Sequence, residues 1–199
     1  MPRWTAALAL VLLPLVGCGG SDSDPETGAN ASPSESVGFD QELHDELMAM
    51  FRRDQAGRTG GVDNEGDEAR TERLKEIIAD YGWPTIDLVG KKGADAAWVI
   101  AQHSDFEPEF QAEALKLIRA AAEDDQASWG NVAYLEDRVA VAQGAEQTYG
   151  TQIGCVKGKA KLATPLVDPD GVDELRAEAG LDPLDAYLAE LDKICAHET

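Results

Sequence analysis

Positive charge, histidine and cysteine are all scarce in this sequence, and each shortage removes a class of chemistry. Lysine and arginine number 17 against 38 aspartates and glutamates, a net charge of −21. Nucleic acid is therefore not an expected partner, because its binding rests on neutralising phosphates with Lys and Arg. Direct attraction to anionic lipid headgroups is disfavoured for the same reason. The acidity suits solubility, and cationic ligands or metal ions stay compatible with it. The three histidines are His44, His103 and His197, with no His-x-x-x-His pair and no Cys-x-x-Cys, so no structural zinc site is expected. In the acidic run Asp168-Pro169-Asp170-Gly171-Val172-Asp173-Glu174 the glycine comes too early for an EF-hand loop. A turn with a capping Asp accounts for it better. No Gly-x-Ser-x-Gly elbow, phosphate loop or dinucleotide fingerprint occurs, and no serine or cysteine nucleophile stands out. No cofactor and no metal is expected.

The N-terminus carries an address. Arg3 precedes an apolar run from Thr5 to Val16, which ends at Gly17-Cys18. That is the layout of a secretory signal, and the run is shorter than the roughly 20 residues a spanning helix needs. Leu15-Val16-Gly17-Cys18 resembles the lipobox of bacterial lipoproteins. The resemblance implies cleavage before Cys18, diacylation of its thiol, and a membrane partner reached through that lipid. The alternative is an ordinary signal cut near Gly19 or Gly20. Loss of Arg3 with the leader would leave the mature chain at −22. Two acyl chains suffice for stable anchoring, on the outer face of the cytoplasmic membrane or on an outer membrane. The stretch from Gly19 to Gly38 is almost devoid of residues to bury and reads as a disordered linker, reaching roughly 25 Å as a flexible coil. The expected organisation is a leader at 1–17, a lipidated cysteine with its linker at 18–38, and one domain at 39–199.

That domain reads as mostly α: a compact unit of six to seven helices with one small β-hairpin near residues 147–167. Phe39, Leu43, Leu47 and Met50-Phe51 recur at helical spacing to about Gln55. Gly60 to Glu68 reads as a polar loop. Leu74, Ile77 and Ile78 mark a helix over Thr71–Tyr81, stopped by Gly82. Ala94, Ala97, Trp98 and Ala101 mark a third helix. Pro108 opens a fourth, and a fifth runs from Asn131 to about Gln143. Gln147–Val156 and Lys161–Val167 look extended, with Lys157-Gly158-Lys159 as the turn. Short helices follow near Val172–Ala179 and from Pro183 to about Ala196. With Cys18 lipidated, Cys155 and Cys195 form an even pair in an oxidising compartment and are expected to bond. The closed loop of about 40 residues is worth roughly 4 kcal/mol in the chain-entropy model. Two free buried thiols are the alternative.

Several short motifs follow one another in order. They are Gly82-Trp83-Pro84, Leu88-Val89-Gly90, the run Ala97 to Asp105, the run Tyr134 to Val139, Gly144, and the run Gln147 to Gln152, then Asp168-Pro169 and Val172 to Arg176. In this the chain resembles a bacterial domain family of unknown function, over about Asp54 to Leu191. The resemblance brings no catalytic or binding residues with it.

Candidate site residues come from the polar positions themselves. His103 lies near the C-terminal end of its helix, where the dipole favours imidazolium and burial opposes it. It reads as a general acid/base or ligand-binding histidine, with Asp105 to hold the ring, or as a capping or core residue. Ser104 and Asp105 also suit helix N-caps. Asp137 and Arg138 point about 100° apart and cannot pair with each other. Arg138 could bind a carboxylate or phosphate, or serve in an internal ion pair. Alternation puts Gln147, Tyr149 and Thr151 on one face of an extended segment and Gln152 on the other. Gln55 and Arg58 could join them. Three functions fit: a tethered binding or interaction module with a pocket of His103, Arg138, Gln147 and Tyr149; an enzyme using His103 as acid or base, with Arg138 on an anionic substrate group; and a structural envelope protein. The partner would be a small molecule or an envelope protein.

Overall fold

The computed structural model describes residues 38–197. The leader, Cys18 and the linker to residue 37 lie outside the described residues. Among the described residues, seven helices and one two-stranded antiparallel hairpin make a mostly α domain. No helix among the described residues is long and apolar enough to cross a membrane.

Helix α1 spans Gln41–Arg58, with the Asp40 carboxylate accepting from the Leu43 amide at 2.9 Å. Such a cap satisfies one of the four amides that a helix start leaves orphaned. Its buried stripe is Leu43, Leu47, Met50 and Asp54. Helix α2, Gly66–Tyr81, starts at Gly66 and not at Thr71, and buries Arg70, Thr71, Leu74 and Ile77. The Asp63 carboxylate takes the Glu65 and Gly66 amides at its start.

Helix α3, Ile86–Gln102, lies in contact with α1, α2, α4 (Pro108–Glu123) and α5 (Trp129–Ala142). It is kinked at Gly90, whose φ of 69° suits only glycine without strain. A Cβ there would also stand 3.2 Å from the Phe39 ring. The carbonyls loosened by the kink are recovered from the start of α1. The Asp40 amide donates to Leu88 O at 2.7 Å, and His44 Nδ1 lies 2.6 Å from Val89 O. Leu47, Leu74, Ile77, Val89, Ala97, Ile100, Ala114, Ile118, Val132 and Leu135 close the core between these five helices. Each large aliphatic side chain among them contributes roughly 1.5–3 kcal/mol by leaving water.

The hairpin is shorter than the sequence suggests. Strand β1 is Ile153–Val156 and β2 is Lys159–Leu162, so Lys159 belongs to the ladder and the turn is Lys157-Gly158 alone. Both turn residues have positive φ, the geometry that matches the twist of paired strands. Gln147 makes only an isolated parallel bridge to Leu166. Helix α6 is Val172–Glu178 and α7 is Leu184–Cys195. A two-stranded hairpin is marginal alone. Here α7 covers it, with Leu191 and Cys195 packed on Ala160. A disulfide joins Cys155 to Cys195 across 40 residues of chain, with Cα atoms 5.3 Å apart. Closing that loop contributes about 4 kcal/mol in the chain-entropy model.

Candidate functional site

The apolar stripe of α1 ends in a carboxylate. Asp54 follows Leu43, Leu47 and Met50 on the buried face and is 1% exposed. A charge held there needs partners, and three side chains supply them. His103 Nδ1 lies 2.9 and 3.0 Å from its two oxygens, Arg58 Nε donates at 3.1 Å and Gln55 Nε2 at 2.7 Å. His103 caps the C-terminus of α3, which brings it against the end of α1. Arg58 also reaches Asp67 at 2.9 Å, and buried Arg70 bonds Asp63 and Asp67, with one nitrogen 3.9 Å from Asp54.

Burial pushes the His103 pKa down. Asp54 offsets part of that shift, while the Arg58 and Arg138 guanidiniums add to it. Burial pushes the Asp54 carboxyl up, but the hydrogen bonds and charge of His103 and Arg58 outweigh this and hold it below its ordinary value. Together these directions describe an ionised Asp54 and a neutral imidazole at pH 7. A carboxylate only accepts, so Nδ1 carries the ring proton and Nε2 presents a lone pair. That tautomer follows from the hydrogen-bond geometry. Nε2 has no hydrogen-bond partner among the described residues and is not among the sealed polar atoms. The side chain is 7% exposed. With Nδ1 against buried Asp54, the ring's available edge is that of Nε2.

Asp105 does not hold this ring. Its carboxylate accepts from Arg138 Nε at 2.8 Å and from Gln111 Nε2 at 3.1 Å. Burial raises its pKa, but Arg138 pulls it below the ordinary value. Neither it nor Ser104 caps α4, whose N-cap position is Glu107 with no side-chain bond. Ser104 donates to Ile100 O and shares a 2.7 Å bond with Thr71. Arg138 Nη1 reaches Gln152 Oε1 at 3.2 Å, so all three guanidinium nitrogens are engaged within the chain.

Residues 147–152 form no continuous strand. They wrap around Asp137, which is 0% exposed and accepts from the amides of Thr148, Tyr149 and Thr151 and from the Thr151 hydroxyl. The Gln147 amide group is consumed by Gln152 N, Gln152 O and Thr164 O. The expected alternation of faces is thus replaced by a loop folded on two buried side chains. Gly150 has φ of 67°, and a Cβ there would stand 3.1 Å from Leu162, Leu166 and Leu184. The Tyr149 carbonyl accepts from buried Arg176 at 2.7 Å, and its phenol, raised by burial, lies in the field of Glu136 and Arg119.

Of the sequence candidates, then, Gln55 and Arg58 join His103 through Asp54. Asp105, Arg138 and Gln152 form an adjoining chain of contacts, and His103 feels the Arg138 charge. Asp137, Gln147 and Tyr149 make no hydrogen bond to His103 and build the neighbouring loop. Asp54, Asp63, Asp67 and Arg70 escaped the sequence reading. One signal was there: an acid at the helical spacing of a Leu-Leu-Met stripe. Among the described residues no group of three or more His, Cys, Asp or Glu side chains is disposed to hold a metal ion.

A family model described as a family of unknown function, DUF6624, matches residues 41–197. The chain belongs to that family. No curated protein and no solved structure matches it.

Proposed function

We propose that this member of the family is a lipid-anchored binding module outside the cytoplasmic membrane, whose ligand docks on the Nε2 edge of His103. The observation that carries the reading is the Asp54–His103 pair. Burying a carboxylate against a neutral imidazole is a poor route to stability, since the buried charge must be answered by partners and apolar residues of similar volume usually serve as well or better. A carboxylate that fixes one ring nitrogen while the other lacks a partner is arranged for recognition or proton transfer. The address Leu15-Val16-Gly17-Cys18 supports the anchor. The occupant is a small molecule or a segment of an envelope protein.

Thermal-shift screening of the full chain in detergent, repeated on His103→Ala, tests the site. A ligand should stabilise the parent chain and not the variant. Stabilisation that persists undiminished in His103→Ala rejects a His103-centred site. For the anchor, the N-terminal peptide should carry acyl mass on Cys18; an unmodified cysteine there rejects it.

One observation favours a second reading. A neutral imidazole with its proton held toward a carboxylate is a general base in waiting. Consumption of the bound ligand by the parent chain, but not by His103→Ala, would convert the binder into an enzyme.

A further inference from the structure

The hydrogen-bonding positions left unfilled on His103 and on Gln55, which shares Asp54 with it, are acceptors. His103 Nε2 is one. Gln55 Oε1 is a second, buried and without a donor. Its orientation is fixed, because the other end of that amide must be the nitrogen that donates to the Asp54 carboxylate. On the donor side the guanidiniums are largely spent. Arg138 is engaged through all three nitrogens, and Arg70 through both of its terminal ones. Arg58 uses Nε and Nη2, leaving Nη1.

The charges point the same way. The network holds the carboxylates of Asp54, Asp63, Asp67 and Asp105 against the guanidiniums of Arg58, Arg70 and Arg138. With a neutral ring, one negative charge is uncompensated. An anion would add a second, beside Asp54 and Asp105, and would meet a ring nitrogen that accepts and does not donate. A monocation brings the local sum to zero and is drawn in by a chain at −21. Phe106, exposed beside Asp105 on the loop between α3 and α4, offers an aromatic face of the kind that attracts cations.

We propose that the ligand of this site is a hydrogen-bond donor bearing one positive charge, an amine or a guanidine, received by His103 Nε2. This rests on the His103-centred reading above and adds the class of molecule.

The test is a titration of the full chain, followed through the histidine ring nitrogens by NMR at pH 7.5 and constant ionic strength. Methylammonium and guanidinium are the donor probes; phosphate and acetate are the anionic ones. The donor probes should move the His103 Nε2 resonance, and the anions should not. Affinity should fall about tenfold or more in His103→Ala, the typical effect of losing one hydrogen bond to a charged group. Acidification should abolish binding at a pH below 6.5, once the ring becomes a donor among Asp54, Arg58, Asp105 and Arg138. Phosphate or acetate moving the resonance while the donor probes stay silent overturns the donor class and leaves a His103-centred site standing. Silence from all four probes overturns the donor class too, and the binding reading is then judged by the broader thermal-shift screen. The titration of the parent chain decides the matter even where His103→Ala fails to fold.

Discussion

Asp54 and Asp137 are both sealed from solvent, and the chain surrounds them in opposite ways. Asp137 is answered mainly by backbone: three amides and one hydroxyl of residues 148–151 converge on it. None of those donors titrates, and the carboxylate has no other use. It fixes a loop. Asp54 is answered by side chains alone, and one of them is an imidazole with a second nitrogen left open. The contrast teaches that burial of a charge does not by itself mark a functional site. What separates the two aspartates is whether the partners are spent in satisfying that charge.

The comparison can be broken experimentally, beginning with the structural aspartate. Asp137→Ala leaves four donors without their acceptor at a buried position. It should cost about 4 kcal/mol or more, at 1–3 kcal/mol for each unsatisfied group, read as a lower midpoint in urea. A loss below about 1 kcal/mol would mean that water or other side chains take over those amides, and that the loop does not depend on this carboxylate.

Asp54→Ala should cost about 3 kcal/mol, the low end for breaking a buried pair, because Arg58 keeps Asp67. Its distinguishing mark is in the pH profile. In the parent chain His103 resists protonation when folded. As pH falls below 6.5 the unfolded chain therefore takes up a proton that the folded chain refuses, and stability declines through the lowered pKa of the ring. The Asp54 contribution is lost at still lower pH, below 3.8. Removing Asp54 removes the group that opposes the burial effect on the ring. The His103 pKa should then drop further, seen as an acid shift of its NMR titration; an upward shift would contradict the electrostatic account.

The smallest effect is expected at Asp105→Ala. The carboxylate is 59% exposed in its pair with Arg138, and exposed pairs contribute less than about 1 kcal/mol. Urea midpoints should barely move. A loss of several kcal/mol would show that Asp105 is part of the same buried system as Asp54.

How much of this the sequence disclosed varied with the kind of interaction. Helices held by an apolar stripe were legible, since Leu43, Leu47 and Met50 or Leu74 and Ile77 repeat with the helical period. The start of α2 was not, because Gly66, Asp67 and Glu68 carry no apolar signal and the turn is set by Asp63. The strand expected from Gln147 failed for a tertiary reason: Asp137 on α5 captures the amides that a ladder would have used. His103 stood out as a rare residue type. Its true partner did not, because Asp54 lies 49 residues away and local reasoning reaches only to Asp105.

The link between Cys155 and Cys195 closes most of the hairpin, α6 and all of α7 into a covalent ring. A protease that nicks the backbone once within that ring releases nothing. Both pieces stay fastened to the same molecule and run as one species until a reductant is added.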